Sequence, residues 1–289
     1  NTFLQKILWC LRTENGKLIR TSGDHPILTI NGMKEASKLC MDDELVTYPF
    51  EGVKFEESSD DVIVTIEDIF RVLDKLGITN KGNAKSQIIN GINKLNILPL
   101  RYNSPQLPIL LKIIGFVMGD GVLTFVKGRK GFVNFYGKEE DLHTIKDDLE
   151  KIGVVTQKIF KRVRKHKIRT NYSLVEFSFE ENSLIKHSTG FAALLAALGV
   201  PVGRKTGVIY KVPYWIKKAK LWQKRLFLSA LFGAELSKPK TMNKYNLYCP
   251  QLNMNKSEKL VKNGIEFLDE IREMLLEFGI LCNRPVFVP

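Results

Sequence analysis

Residues 113–121 read Ile113-Ile114-Gly115-Phe116-Val117-Met118-Gly119-Asp120-Gly121, and residues 228–236 read Leu228-Ser229-Ala230-Leu231-Phe232-Gly233-Ala234-Glu235-Leu236. The two stretches align position by position. Each closes a longer segment, Leu107 to Asp120 and Leu221 to Glu235, whose apolar residues fall on nearly every helical face; that pattern predicts buried rather than amphipathic helices. Small residues recur four apart, Gly115 with Gly119 and Ala230 with Ala234, which puts each pair on one helix face. Only small side chains there let two backbones approach closely. The two helices are therefore expected to press together at the centre of a pseudodimer, with the sole acid of each, Asp120 and Glu235, side by side at the C-terminal ends.

Carboxylates in that position need compensation. A helix C-terminus carries partial negative charge, and a second acid adds like-charge repulsion. Mg²⁺, or another divalent cation such as Mn²⁺, would supply it, because hard cations take carboxylate and water oxygens together with substrate phosphates. Two such ions about 4 Å apart suit phosphodiester hydrolysis, activating water and stabilising the leaving oxygen. The plainer alternative is that Gly119-Asp120-Gly121 is only a polar helix stop.

Outward from these helices the chain repeats itself. Each is followed by a strand-like basic stretch and then an amphipathic helix that closes on Gly and an aliphatic residue. In the first unit that helix holds Leu142, Ile145, Leu149 and Ile152 before Gly153-Val154; in the second it holds Phe267, Leu268, Ile271, Leu275 and Phe278 before Gly279-Ile280. The second unit has no counterpart of Tyr172 to Phe179 or Leu184 to Leu198, so the chain is expected to be a fragment, a nicked chain or incompletely ordered. The period is too long for a solenoid.

Charge points the same way as the duplication. The 289 residues carry a net charge of +13. Residues 1–100 hold 12 basic and 14 acidic side chains, and residues 101–289 hold 32 and 17. No acid occurs from Asn182 to Ala234, where Lys186, Arg204, Lys205, Lys211, Lys217, Lys218, Lys220, Lys224 and Arg225 all fall. A solvated surface normally mixes signs, so a polyanion, double-stranded nucleic acid above all, is the expected partner. No apolar run is long enough to span a bilayer, which excludes a membrane partner of that kind. The four cysteines lie far apart and form neither a disulfide framework nor a zinc site. A soluble, intracellular (cytoplasmic) protein is expected.

Before the repeat, short strands are predicted over Phe3–Cys10, Lys17–Thr21 and Pro26–Ile30, with a tight turn at Ser22-Gly23-Asp24-His25-Pro26. Cys10 is read as a core residue of the first strand. The acidic stretch Glu56 to Asp61 marks a boundary. Helices are predicted over Ile66–Gly77 and Asn83–Leu95, either an extra DNA-contacting element or a structural linker; Pro99, Pro105 and Pro108 stiffen the connector that follows.

The paired motifs resemble the signature of the LAGLIDADG (dodecapeptide, DOD-type) homing endonucleases, with Glu235 for the usual Asp and Leu236 for the terminal Gly. That resemblance implies an α+β fold with two αββαββα halves, each laying a curved antiparallel sheet in the DNA major groove. Asp120 and Glu235 would then be catalytic and would hold Mg²⁺ at the scissile phosphates. It also implies a monomer acting as a pseudodimer on a double-stranded DNA target. The basic run Lys158, Lys161, Arg162, Arg164, Lys165, Lys167 and Arg169 suits a strand and loop on such a sheet. A basic residue assisting the attacking water is expected in each half, with Lys130 and Lys161 as the candidates; Lys130 is also expected to contact DNA.

Arg20 to Leu28 similarly resembles the second conserved block of inteins, in which the His activates a scissile peptide bond; His25, Asp24 and Ser22 are the matching residues, Ser22 standing where Thr is usual. His25 alone would be read equally as a turn histidine. Gly32 to Tyr48 resembles the intein stretch that follows. Ile97 to Tyr102 and Phe232 to Pro239 resemble inteins lodged in archaeal RNA-splicing ligases. Asn1 is not a splicing nucleophile, and the chain does not close on His-Asn. The expected division is 1–55, a partial all-β Hint (splicing) domain; 56–106, the linker; 107–200, the first half; and 201–289, an incomplete second half. Two alternatives stay open: a cleavage-deficient DNA-binding regulator on this scaffold, or an RNA-binding maturase.

Overall fold

A computed structural model describes residues 8–13, 18–46, 52–78, 83–126, 130–169, 173–243 and 246–288. In chain order it comprises β1 (Leu8–Arg12), β2 (Leu18–Ser22), β3 (Pro26–Thr29), β4 (Gly32–Glu35), β5 (Val62–Val64), α1 (Ile66–Lys75), α2 (Ala84–Asn93), β6 (Leu100–Arg101), α3 (Leu107–Met118), β7 (Gly121–Val126), β8 (Lys130–Gly137), α4 (Glu139–Lys151), β9 (Phe160–Arg169), β10 (Leu174–His187), α5 (Thr189–Ala197), α6 (Tyr214–Lys218), α7 (Leu221–Glu235), β11 (Lys240–Thr241), β12 (Leu247–Tyr248) and α8 (Val261–Leu276). The fold is α+β, with several small antiparallel sheets and one four-stranded antiparallel sheet in the order β7-β8-β10-β9. Two compact units result: Asn1–Gly52 with Ser237–Gln251, and Val53–Leu236 with Leu252–Pro289.

The smaller unit is built of two-stranded ribbons, β1 with β2, β3 with β4 and β11 with β12. The predicted strand Phe3–Cys10 begins at Leu8 among the described residues, and Cys10 is exposed on it rather than core. Residues 3–7 and Lys17 lie outside the described residues, as do Asn1, Tyr48, Tyr172 and Pro289.

In the larger unit the order from α3 to α5 is αββαββα. Alternation along the sheet is regular: Leu123, Val133, Phe135 and Leu184 point into the core and are fully buried, and the intervening residues face outward. Gly131 sits on the inner face because a Cβ there would lie 2.7 Å from the Ala192 Cβ of α5. The helices close as their sequence signals require, with Gly153 and Gly279 at φ +78° and +75° after α4 and α8. Glycine reaches such left-handed conformations without the penalty a Cβ brings.

Residues 62–101 belong to this core. The backbone N–H of Thr65 donates to Asp68 Oδ2 at 2.9 Å, capping α1. Ile69, Leu73, Ile92, Ile97 and Leu100 are buried with the residues of α3 and α5. Gly190 opens α5 to α2, since a Cβ there would meet the Ile88 carbonyl oxygen at 3.1 Å. Two of its basic residues are occupied internally: Lys85 pairs with Asp74, and Arg101 donates to the Asp60 carbonyl.

At the centre, α3 and α7 cross in contact along the faces the small residues define. A Cβ on Gly115 would come within 2.3 Å of the Phe227 carbonyl oxygen and 3.0 Å of the Ala230 Cβ. One on Gly119 would meet the Ala234 Cβ at 2.6 Å and Glu235 Cγ at 3.1 Å. Gly115→Ala is therefore expected to force the helices apart and destabilise the protein by about 1–3 kcal/mol. Gly233→Ala, in α7 with nothing within 4 Å of the added Cβ, is the matched control; helix propensity predicts a gain of roughly 0.5–1 kcal/mol there. Chemical denaturation of the two variants checks both signs.

Candidate functional site

The close crossing delivers its two acids to one place. Asp120 follows Gly119, the residue whose missing Cβ leaves room for Ala234 and the Glu235 side chain. Its carbonyl accepts from the Tyr136 N–H at 3.1 Å, which turns the chain from helix into sheet. Gly121 completes the turn, because a Cβ there would lie 2.6 Å from the Val117 Cα. The second copy has Leu236 at this position and also leaves its helix extended, at ψ 136°, bridged antiparallel to Leu252.

A third charged group sits with the pair. The ammonium of Lys205 donates to the Met118 carbonyl at 3.0 Å and lies 3.4 Å from that of Val117, at the unsatisfied C-terminal end of α3. There it interacts electrostatically with both Glu235 and Asp120. Burial lowers the Lys205 pKa, partly offset by the two acids. Asp120 is reached by solvent from one side, yet the protein on its other sides and then Glu235 push its carboxyl up to about 6 against the opposing pull of Lys205. Tyr210, pushed up to about 12 by burial and by Glu235, borders the same space.

The segment carrying Lys205 is held from within its own, second half. Lys256 donates to the carbonyls of Lys205 and Val208 at 3.0 and 2.7 Å, and its ammonium lies 4.0 Å above the Tyr210 ring. The Ser257 N–H donates to the Thr206 carbonyl, and Asn263 closes a two-way backbone clamp on Tyr210.

Sequence reasoning missed Lys205 as a site residue and pointed to Lys130 and Lys161 instead. Lys130 begins β8 opposite Val126, whereas Asp120 joins the other end at Tyr136. Six residues of strand, about 20 Å, separate the two ends. Lys161 pairs with Glu139 at 2.5 Å at the start of α4. The one available signal for Lys205 was membership of the acid-free run, which holds eight other basic residues.

The predicted DNA-facing residues divide by the alternation of β9. Arg162 and Arg164 share a face with Phe177, Phe179 and Glu181 of β10, as the register Glu181↔Arg162 and Phe179↔Arg164 requires. That face continues onto Phe132, Asn134 and Tyr136 of β8, opposite the buried one, with Lys130 at its edge. Lys161, Lys165 and Lys167 lie on the other face, Lys167 pairing with Glu176. Lys158 is exposed in the loop before β9, and the side chain of Arg169 lies outside the described residues. In the acid-free run, Lys211, Lys217, Lys220 and Lys224 pair with Glu266, Glu270, Glu56 and Glu277.

In the smaller unit Ser22, Asp24 and His25 share one tight turn. The His25 N–H donates to the Ser22 carbonyl at 3.2 Å, and the turn is tied to the following segment through Ala36 N–H to His25 O and Ser37 N–H to Gly23 O, both 2.8 Å. His25 is exposed.

Among the described residues no group of three or more His, Cys, Asp or Glu side chains assembles. Asp120 and Glu235 alone do not close a coordination shell. Two carboxylates brought together nevertheless fit a hard divalent cation that keeps water and takes phosphate oxygens for its other ligands. No helix among the described residues is long and apolar enough to cross a membrane.

Comparison with known proteins fits this arrangement into a wider pattern. No protein-family model matches the chain. The tRNA-splicing ligase RtcB of Methanocaldococcus jannaschii is 41% identical over 273 residues, 93% of this chain but 27% of that protein. DNA-directed RNA polymerase subunit Rpo1N of the same archaeon is 36% identical over 283 residues, 95% of this chain and 20% of the subunit. Its Replication factor C small subunit is 28% identical over 330 residues, 92% of this chain and 17% of the subunit. The chain thus spans about a quarter or less of these relatives. A ligase, a polymerase subunit and a replication factor share one segment, the pattern of an insert carried by different archaeal host proteins.

The elevated Asp120 pKa has a sign that can be tested. The unfolded carboxyl ionises near 3.8 and the folded one near 6. Between those values the native state holds the extra proton, so stability falls as pH rises, and the penalty is complete above about pH 6. In a chelator, Asp120→Asn is expected to melt above the wild type at pH 7–8 and to converge with it below about pH 4. A thermal-melt series across that range measures the gap.

Proposed function

We propose that this chain is the endonuclease-bearing part of an intein, a site-specific enzyme of the LAGLIDADG type that cuts double-stranded DNA with a divalent cation. The observation that carries the reading is the small-residue crossing of α3 and α7, which sets Asp120, Glu235 and Lys205 around one solvent-reached space. Recurrence of the segment inside differently named archaeal proteins supports the intein part, and the Ser22-Asp24-His25 turn is the portion of the splicing apparatus it would contribute. Mg²⁺, or Mn²⁺ in its place, would supply Lewis acidity at the scissile phosphate when bound.

The chain's own groups have distinct tasks in this reading. Asp120 and Glu235 hold negative charge where a cation and a phosphate must meet, and they do so from rigid helix ends. Lys205 presents a buried ammonium to the same space, suited to stabilising negative charge that develops on the reacting phosphate. Its depressed pKa also brings proton transfer nearer to neutral pH. The open sheet face bearing Arg162 and Arg164 belongs to the sheet whose first strand, β7, follows Asp120, and it would carry the duplex. The alternative is a DNA-binding protein without cleavage, with which the sequence departure at Leu236 is compatible.

Cleavage of a plasmid carrying an uninterrupted tRNA-splicing-ligase coding sequence distinguishes these readings. Linear product is expected with Mg²⁺ and none in a chelator. Asp120→Asn, Glu235→Gln and Lys205→Met should each slow cutting on the order of 100-fold or more. The wild-type rate should rise with pH through about 6 as Asp120 ionises. Retained binding without scission would establish the non-cleaving regulator; cutting unaffected by the two acid variants would remove the carboxylates from the mechanism.

A further inference from the structure

We propose that Glu181 is a specificity-determining residue, fixing Arg162 and Arg164 as readers of guanine in the major groove. The inference rests on duplex DNA being the ligand of the open sheet face. An acid on such a face works against polyanion binding, since every phosphate contact gains from positive charge. Glu181 is nevertheless there, with its side chain only 16% exposed and facing the same side as both arginines. One carboxylate oxygen, Oε2, takes the Nε of Arg162 at 2.6 Å and the Nε of Arg164 at 3.2 Å.

The position of this cluster matches the task. Strand β10 pairs with β8 only from Asn182 onward, so residues 174–181 extend beyond the sheet as a two-stranded ribbon with β9. A ribbon of two strands fits the major groove of B-form DNA. Glu181 and its arginines stand at the root of that ribbon. Phe179, directly opposite Arg164, and Phe177 beyond it stack with ring centroids 6.4 Å apart on the same face.

Fixing an arginine through its Nε edge has a chemical consequence. The guanidinium is planar with five donors in a fork, and a carboxylate on the Nε side directs the terminal Nη pair away from itself. Two parallel Nη donors match O6 and N7 of guanine, the commonest base-specific arginine contact. Held in advance, each side chain also loses less freedom on binding. Glu181 therefore trades non-specific attraction for discrimination.

Selection of bound duplexes from a randomised library by the full chain, followed by sequencing and titration, tests this. The wild type is expected to enrich guanines that Arg162→Lys and Arg164→Lys each cease to prefer, with roughly tenfold loss of discrimination at the affected position. Glu181→Gln and Glu181→Ala should bind random duplex several-fold more tightly while losing a similar factor of guanine discrimination. Glu181→Gln keeps the shape of the side chain, so it carries the test if the alanine variant melts early. Unchanged guanine preference in both Glu181 variants, or guanines indifferent to both arginines, overturns the inference. A wild type that retains no duplex at all overturns the DNA reading itself, a separate and recognisable result.

Discussion

Everything at the centre of this protein depends on how closely two helix backbones approach. Leu, Val or Ile at positions 115, 119, 230 and 234 would hold α3 and α7 apart by the width of their side chains, and Asp120 and Glu235 with them. Glycine opposite alanine removes that spacer: a single methyl on Gly115 would overlap the Phe227 carbonyl. Close approach then creates an electrostatic problem, two acids beside the negative end of α3, which one lysine only partly offsets. Burial first, and Glu235 second, push the Asp120 carboxyl up to about 6. Packing and chemistry are one constraint here, because relieving the repulsion by separating the acids would require opening the α3–α7 crossing.

The charge of the chain looks different in space than along the sequence. Fifty-three consecutive residues without an acid suggest an unbroken basic surface. Folding brings acids from elsewhere to meet them, and Lys224, with its side chain 5% exposed, is a structural residue paired with Glu277 rather than part of a DNA face. The run on β9 is divided in another way, by strand alternation, which sends Arg162 and Arg164 to one side and Lys161, Lys165 and Lys167 to the other. Net positive charge still favours a polyanion globally. It does not identify which side chains touch one.

Local signals carried most of the architecture. Helix α7 runs from Leu221 to Glu235, as its apolar span and neighbours indicate, and α4 and α8 end before the glycines that close their periodic patterns. Those features are decided within a few residues. The misreadings all involve partners distant in the chain. Cys10 has the strand context expected of it but not the burial, because its ribbon leaves that side open. Lys205 is assigned by a loop that returns to α3 some eighty residues after Asp120, a relation that no spacing rule encodes.

Both repeats leave their central helix in extended chain and differ in what is built beyond that exit. Gly121 lets β7 fold straight back against Val117, so the first acid is followed at once by the four-stranded sheet. Leu236 leaves α7 extended as well and is bridged antiparallel to Leu252, so the second exit accommodates a side chain. The second repeat contributes to the centre by another route. Lys256 and Ser257 grip the segment from Lys205 to Val208, and Asn263 grips Tyr210. The first repeat thus supplies the sheet and the second clamps the lysine, so the centre is jointly owned although its two halves are built differently. Lys205 and the residues that hold it all belong to the second half, so that half brings both an acid and a partial counter-charge to a centre whose other acid comes from the first.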